Sequence, residues 1–158
     1  MSKSEDIKGF FVIASDALIY KCGPTIAVVF GKLCRLALNK DYAYISIFQL
    51  SEQLGLSENT IRDSISILEG QEYYGSGKSK KTNKYFNRDT ALLLDVTPDV
   101  FKSKTQVRHY APIISNFEDF VEKYEIECEV KKQNEIKTNP QEKLKKYYLD
   151  HPKKEEKL

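Results

Sequence analysis

The sequence predicts an α+β fold, and three observations carry the prediction. Apolar residues recur at helical spacing between Thr25 and Leu38. Two short helices with capping signals and a glycine between them fill Ser46 to Glu69. A lysine-rich loop bounded by aromatic and β-branched runs follows directly. With 158 residues the chain has room for one compact domain with appendages, and a domain of that size buries roughly two-thirds of its unfolded surface. Apolar residues are dense up to Leu94, return from Ile113 to Tyr124 and thin out after Cys128. The composition therefore predicts a folded domain over 1–96, a C-terminal helical extension over 97–133 and a disordered, lysine-rich tail over 134–158.

Taken in order, Gly9 to Ile13 (GFFVI) reads as a short strand or an extended anchoring segment. Gly23-Pro24 suits a helix entrance, because proline at the first helical position gives up an N–H that would have no partner there. Ile26, Val29, Phe30, Leu33, Leu36 and Ala37 then recur at spacings of three and four, the mark of a helix with one face on a core. Asn39-Lys40-Asp41 ends it, and Tyr42 to Ile45 forms a short strand. Ser46 and Gln49 match a capping box. The helix they open runs to Leu54, where Gly55 supplies a left-handed cap. Ser57 caps the next helix, Glu58 suits its positive N-terminal dipole end, and Gly70 stops it. The rest reads as a strand from Glu72 to Tyr74, a basic loop from Gly75 to Asn83 and a strand from Lys84 to Val96. Pro98 opens a short helix through Phe101, and Ser115 or Asn116 caps a longer one from Phe117 to about Gln133.

Leu50, Leu54, Leu56, Ile61, Ile65 and Leu68 give the two helices around Gly55 a shared core, so the second is held rigidly against the first. That is the construction of a helix-turn-helix, whose second helix enters the major groove of DNA. With Ile61, Ile65 and Leu68 inward, Asn59, Arg62, Asp63 and Ser66 form the outward ridge. Asn pairs bidentately with adenine and Arg with guanine, so Asn59 and Arg62 are the candidate base readers. Ser57 and Thr60, at the helix start, suit a phosphate. The following loop carries Lys78, Lys80, Lys81, Lys84 and Arg88 with no acid between Gly75 and Arg88, and with Asn83 it fits a wing resting on phosphates. The net charge is only +2; what points to an anionic partner is the segregation of this loop from the acidic stretch Phe117 to Glu129.

Phe11 to Leu94 resembles the amino-terminal winged-helix domains of replication initiators and organisers in plasmids and phages of Gram-positive bacteria. The residues that carry the resemblance are the KLCRLAL helix, the LSEQLGLSENTIRDSISILE unit and the TNKYF stretch, and it covers about half of the chain. The resemblance implies a recognition helix over Ser57–Glu69 that reads origin repeats, and a wing that grips the backbone. The chain's length suits a compact relative such as a plasmid-transfer accessory factor or a transcriptional regulator.

Other chemistries find little footing. Gly75-Ser-Gly-Lys-Ser79 imitates a phosphate-binding loop, but the pattern asks for glycine where Glu72 stands. His109 and His151 are the only histidines and lie far apart; His109 with Tyr110 reads as an ordinary surface pair, and no metal or nucleophile set assembles. Cys22, Cys34 and Cys128 lack paired spacing, which predicts reduced thiols rather than disulfides or zinc. No signal-length or membrane-length apolar run is present, so a soluble cytoplasmic protein is expected. Phe117, Phe120, Val121, Tyr124 and Cys128 form an apolar stripe that serves packing or a homodimer through 117–128. The expectation is a non-enzymatic, cofactor-free winged helix-turn-helix. It binds double-stranded DNA in replication, conjugative transfer or transcription control of a plasmid, phage or other mobile element. The alternative is a winged-helix module that binds protein through its aromatic, acidic C-terminal helix.

Overall fold

The computed structural model describes residues 12–137 and 140–151 and holds, among them, seven helices and a three-stranded antiparallel sheet. In chain order these are α1 (Asp16–Cys22), α2 (Pro24–Leu36), β1 (Ala43–Ser46), α3 (Ile47–Leu54), α4 (Glu58–Leu68), β2 (Leu93–Asp95), α5 (Asp99–Lys102), β3 (Val107–Pro112), α6 (Ile114–Lys137) and α7 (Pro140–Asp150). The fold is thus mixed α+β. The chain divides into two units, one ending at Glu118 and one beginning at Asp119.

Local side-chain chemistry sets the helix ends in the first unit. Ser15 Oγ accepts from the Leu18 amide and caps α1, a helix that the sequence reading had not assigned. Pro24 opens α2. At α3 the Ser46 hydroxyl accepts from Gln49 N at 3.1 Å, and Gln49 Oε1 accepts from Ser46 N at 3.0 Å, completing the capping box. Gly55 ends α3 at φ 67°, in the left-handed region that an L side chain resists. Ser57 Oγ accepts from Thr60 N at 3.2 Å and caps α4. A serine N-cap is worth about 1 kcal/mol, so local signals as well as packing specify the α3–α4 turn.

Packing then fixes the helices. α2 and α3 both lie on α4 and on β1. Val29 and Leu33 of α2, Leu50 of α3, and Ile61 and Leu68 of α4 are wholly buried, joined by Ile65 and Ile67. Burying such side chains gains about 1.5–3 kcal/mol each, so this cluster holds α4 against its neighbours. The inward face of α4 is wider than the expected stripe: Ser64 is buried too, its hydroxyl donating to Thr60 O at 2.8 Å.

The sheet is built from distant pieces, in the order β1-β3-β2, with β3 pairing antiparallel to both neighbours. Ala43 faces Tyr110 and Leu93 faces Pro112 across the ladders, and Ala43, Ile45, Tyr110 and Leu93 are buried on the inner face. Side chains alternate across a strand, so Tyr44, His109, Ala111 and Leu94 occupy the outer face.

Two strand expectations are overturned. Glu72–Tyr74 and Lys84–Val96 do not form a hairpin around the basic loop; only the single bridge Tyr73–Lys81 closes it, with N···O distances of 3.2 and 2.6 Å. Side chains take the donors that a ladder would need. Asn83 Oδ1 accepts from the amides of Tyr85 and Phe86, and Asn87 Oδ1 from those of Asp89 and Thr90. Only Leu93–Asp95 survives as a strand, and it pairs with β3, not with the loop's other side. That pairing keeps residues 97–118 in the first unit. Asn116 is not a helix cap either. Its Nδ2 donates to the carbonyls of Asp89 and Ala91, while α6 starts earlier, at Ile114.

The second unit holds the rest of α6 and α7. The tail expected to be disordered from Asn134 therefore contains the end of α6 and an eleven-residue helix, Pro140–Asp150. Residues 138–139 and 152–158 of that tail, and Gly9 to Phe11 of the expected N-terminal strand, lie outside the described residues. Among the described residues no helix is long and apolar enough to cross a membrane.

Candidate nucleic-acid interface

The outward ridge of α4 has Asn59 and Arg62 exposed, and Asp63 and Ser66 half-buried. Arg62 Nη2 lies 3.6 Å from Glu58 Oε1, one helical turn back, with both groups in water. An exposed pair of this kind contributes only a few tenths of a kcal/mol, so it orients the guanidinium without locking it away. At the start of the helix the Ser57 and Thr60 hydroxyls share a hydrogen bond of 2.8 Å, leaving both at the mouth of unpaired backbone N–H groups.

The lysine loop is fastened to this same helix. Asp63 Oδ1 accepts from Tyr74 N at 3.3 Å, where the loop begins. Where it returns, Asn83 Nδ2 donates to Ile67 O at 2.9 Å and to Gln71 O at 3.0 Å. Gly70, at φ 71°, makes the turn between helix and loop. A Cβ there would lie 2.2 Å from Asn87 O, so glycine is needed for backbone shape and for close approach alike. Phe86, 5% exposed, pins the far side of the loop into the core. Between these ties Lys78, Lys80, Lys81 and Lys84 stand exposed, as does Arg88, and Lys80 Nζ sits 5.6 Å from the Tyr74 ring centroid.

The structure therefore brings the ridge and the lysines together, and sorts the candidates. Asn59, Arg62, Ser57 and Thr60 remain on the accessible side of α4, and the four lysines project from a loop docked beside it. Asp63 and Asn83 are bound to backbone instead, which gives the acidic group on the ridge a reason to be there. The sequence signal for Asn83 was available: an asparagine two residues before the aromatic pair Tyr85-Phe86, just after a glycine-bearing loop, suits a side chain that mimics backbone.

Behind the ridge, Glu69 caps the end of α4. Burial, and then the nearby Asp95 carboxylate, push its carboxyl up to about 7. Burial also raises the Tyr110 phenol, with Glu69 and Asp95 adding to it, so Tyr110 stays protonated. Tyr110 is core, 4% exposed, and not half of a surface pair with His109. His109 belongs to a group that the sequence reading missed, enclosed by Tyr42, Tyr44 and Phe101 on the outer sheet face. Cys22 and Cys34 are half-buried, and burial lifts both thiols to about 11, which makes them poor nucleophiles. Among the described residues no three His, Cys, Asp or Glu side chains gather as metal ligands.

Comparison with protein families, with curated proteins and with solved structures gives no match.

Proposed function

We propose that this chain is a winged-helix protein that binds double-stranded DNA sequence-specifically and acts by binding, without catalysis. In this reading α2, α3 and α4 are the three helices and α4 is the recognition helix. The antiparallel sheet β1-β3-β2 completes the domain, and the β2–β3 hairpin is its wing. The lysine loop is then an insertion between the recognition helix and the first wing strand.

One observation carries the reading: an acid-free loop with four exposed lysines is tied by Asp63 and Asn83 to the helix whose ridge presents Asn59 and Arg62. With α4 in the major groove, Arg62 and Asn59 meet base edges, each good bidentate pair giving about 1–3 kcal/mol of discrimination. Ser57 and Thr60 meet a phosphate at the helix N-terminus. Lys78, Lys80, Lys81 and Lys84 reach phosphates and supply affinity that is independent of sequence and falls with salt. The resemblance to plasmid and phage replication proteins suggests a task in replication, transfer or transcription control of a mobile element.

The test is fluorescence anisotropy with duplexes from the gene's own neighbourhood, across a salt series and against unrelated DNA. Arg62→Ala is expected to lose about tenfold on the preferred site while leaving unrelated DNA nearly unchanged. Lys80→Glu with Lys81→Glu is expected to weaken all duplexes and flatten the salt slope by at least about two units. Absence of duplex binding at low salt refutes the proposal and moves attention to a protein partner of the acidic stretch Phe117 to Glu129.

A further inference from the structure

The outer face of the sheet carries a group of rings that DNA reading by α4 does not use. Tyr42 stacks on His109 with centroids 4.4 Å apart and planes at 23°. Tyr44, opposite His109 across the β1–β3 ladder, lies 5.0 Å away at 51°. Phe101, delivered by the short helix α5 in the β2–β3 hairpin, lies 6.2 Å from the same imidazole. The hairpin is held in place for this by Thr97, whose hydroxyl accepts from His109 N at 2.8 Å and donates to Asp95. Despite their mutual contacts the rings stay open to solvent, Tyr44 at 56% and Phe101 at 48% exposure.

We infer that this face binds unpaired bases of single-stranded DNA, by stacking on Tyr44 and Phe101. A ring face offers every base a partner of similar polarizability, and a row of rings on a sheet beside cations is a sequence-tolerant platform for a single strand. The cations are present. Between Val96 and Val107 the hairpin carries Lys102 and Lys104 against the single acid Asp99, and Lys40 and Asp41 precede Tyr42. Lys102 reaches Asp99 at 3.6 Å across an exposed contact that phosphate can displace. Leu94 and Val96 continue the open face beside the rings, an apolar surface against which a deoxyribose packs without covering a 2′-hydroxyl. The site is separate from the α4 ridge and its lysine loop, so it stands whether or not those bind duplex.

The experiment compares three labelled probes on the full chain: a thymidine 12-mer, an abasic 12-mer with the same phosphates, and a 12-base-pair duplex. Wild-type protein is expected to bind the thymidine strand about tenfold or more tightly than the abasic strand. Tyr44→Ala and Phe101→Ala are each expected to lower thymidine-strand affinity by about five- to tenfold, and Tyr44→Ala, on β1 outside the proposed wing, to leave duplex affinity within twofold, whereas Tyr44→Phe and Phe101→Tyr retain binding. Unchanged melting midpoints in both alanine variants exclude misfolding as the cause. Equal binding of the thymidine and abasic strands overturns the inference, as does a thymidine affinity that neither alanine substitution moves. A change confined to self-association of the alanine variants overturns it too, marking the face as a protein contact.

Discussion

The lysine loop between α4 and β2 and the hairpin between β2 and β3 are excursions from the same small core, but they are held by different means. The hairpin is fixed by ladder bonds distributed along β3, which is flanked by strands on both sides. The loop has one bridge of its own, Tyr73 to Lys81, and is otherwise shaped and docked by Asp63, Asn83, Asn87, Gly70 and Phe86. Distributed backbone bonding survives the loss of any one side chain. A docking made by a few side chains does not.

The largest expected effect tests that contrast at Gly70. Gly70→Ala forces a side chain into left-handed backbone and against Asn87 O, a collision of backbone rather than of a yielding side chain. The expected loss is about 3 kcal/mol, read as a fall in Tm of roughly 8–15 °C, together with early proteolysis between residues 71 and 91. A melting point within two degrees of wild type would show that the loop is not docked as described.

Asn83→Ala comes next. It removes two bonds to α4 and its turn and two to the loop's own amides, all around a half-buried side chain. About 2 kcal/mol is expected, since unsatisfied carbonyls and amides cost more than the net value of the bonds lost. Duplex affinity should fall as well even though Asn83 touches no DNA in the proposed complex, because the lysines lose their placement. Thr97→Val is the matched probe on the hairpin. It strips the bonds to Asp95 and His109, yet the ladder remains, so about 1 kcal/mol and no new protease site are expected.

The smallest effect concerns the seam between the two regions, at Glu69. Burial pushes its carboxyl up to about 7 in the folded protein from an ordinary 4.5, so the folded state holds the proton more tightly. Between those values the unfolded chain binds fewer protons, and stability therefore falls as pH rises from about 4.5 to about 7. Glu69→Gln should cancel this loss, gaining on the order of 1 kcal/mol at pH 8 and nothing below pH 4. Denaturant melts of both proteins across that range measure it, and parallel pH profiles would remove Glu69 from the account.

What the chain made legible in advance follows the same division. Ser46 with Gln49, Gly55 and Ser57 were readable because a cap needs only residues within three positions, and the two helices around Gly55 came out where those signals put them. Of the sheet, the strand at Tyr42 to Ile45 was readable and became β1, but its partners were not. β3 pairs with strands more than a dozen residues away on one side and more than sixty on the other, and no periodicity announces such partners. The run KYFNR looked like a strand because its rings suit one, and Asn83 outcompeted the ladder for its amides as Asn87 did for those of Asp89 and Thr90. Of the site, the ridge on α4 was visible from helical geometry. That Asp63 and Asn83 hold the loop, and that Tyr42, Tyr44 and Phe101 converge on His109, depended on tertiary placement.

The docking of the lysine loop has a consequence for how such a protein can change. Asn83 grips carbonyls of the main chain at Ile67 and Gln71, which every amino acid possesses, and in these hydrogen bonds the helix contributes only the Asp63 side chain. The ridge can therefore change at positions 59 and 62 while the loop keeps its seat, and lysines can be added or removed without disturbing the ridge. Under the proposed function, grip and reading become separately adjustable, and a designer could graft the segment from Gly70 to Asn87 after another helix by transferring one aspartate with it.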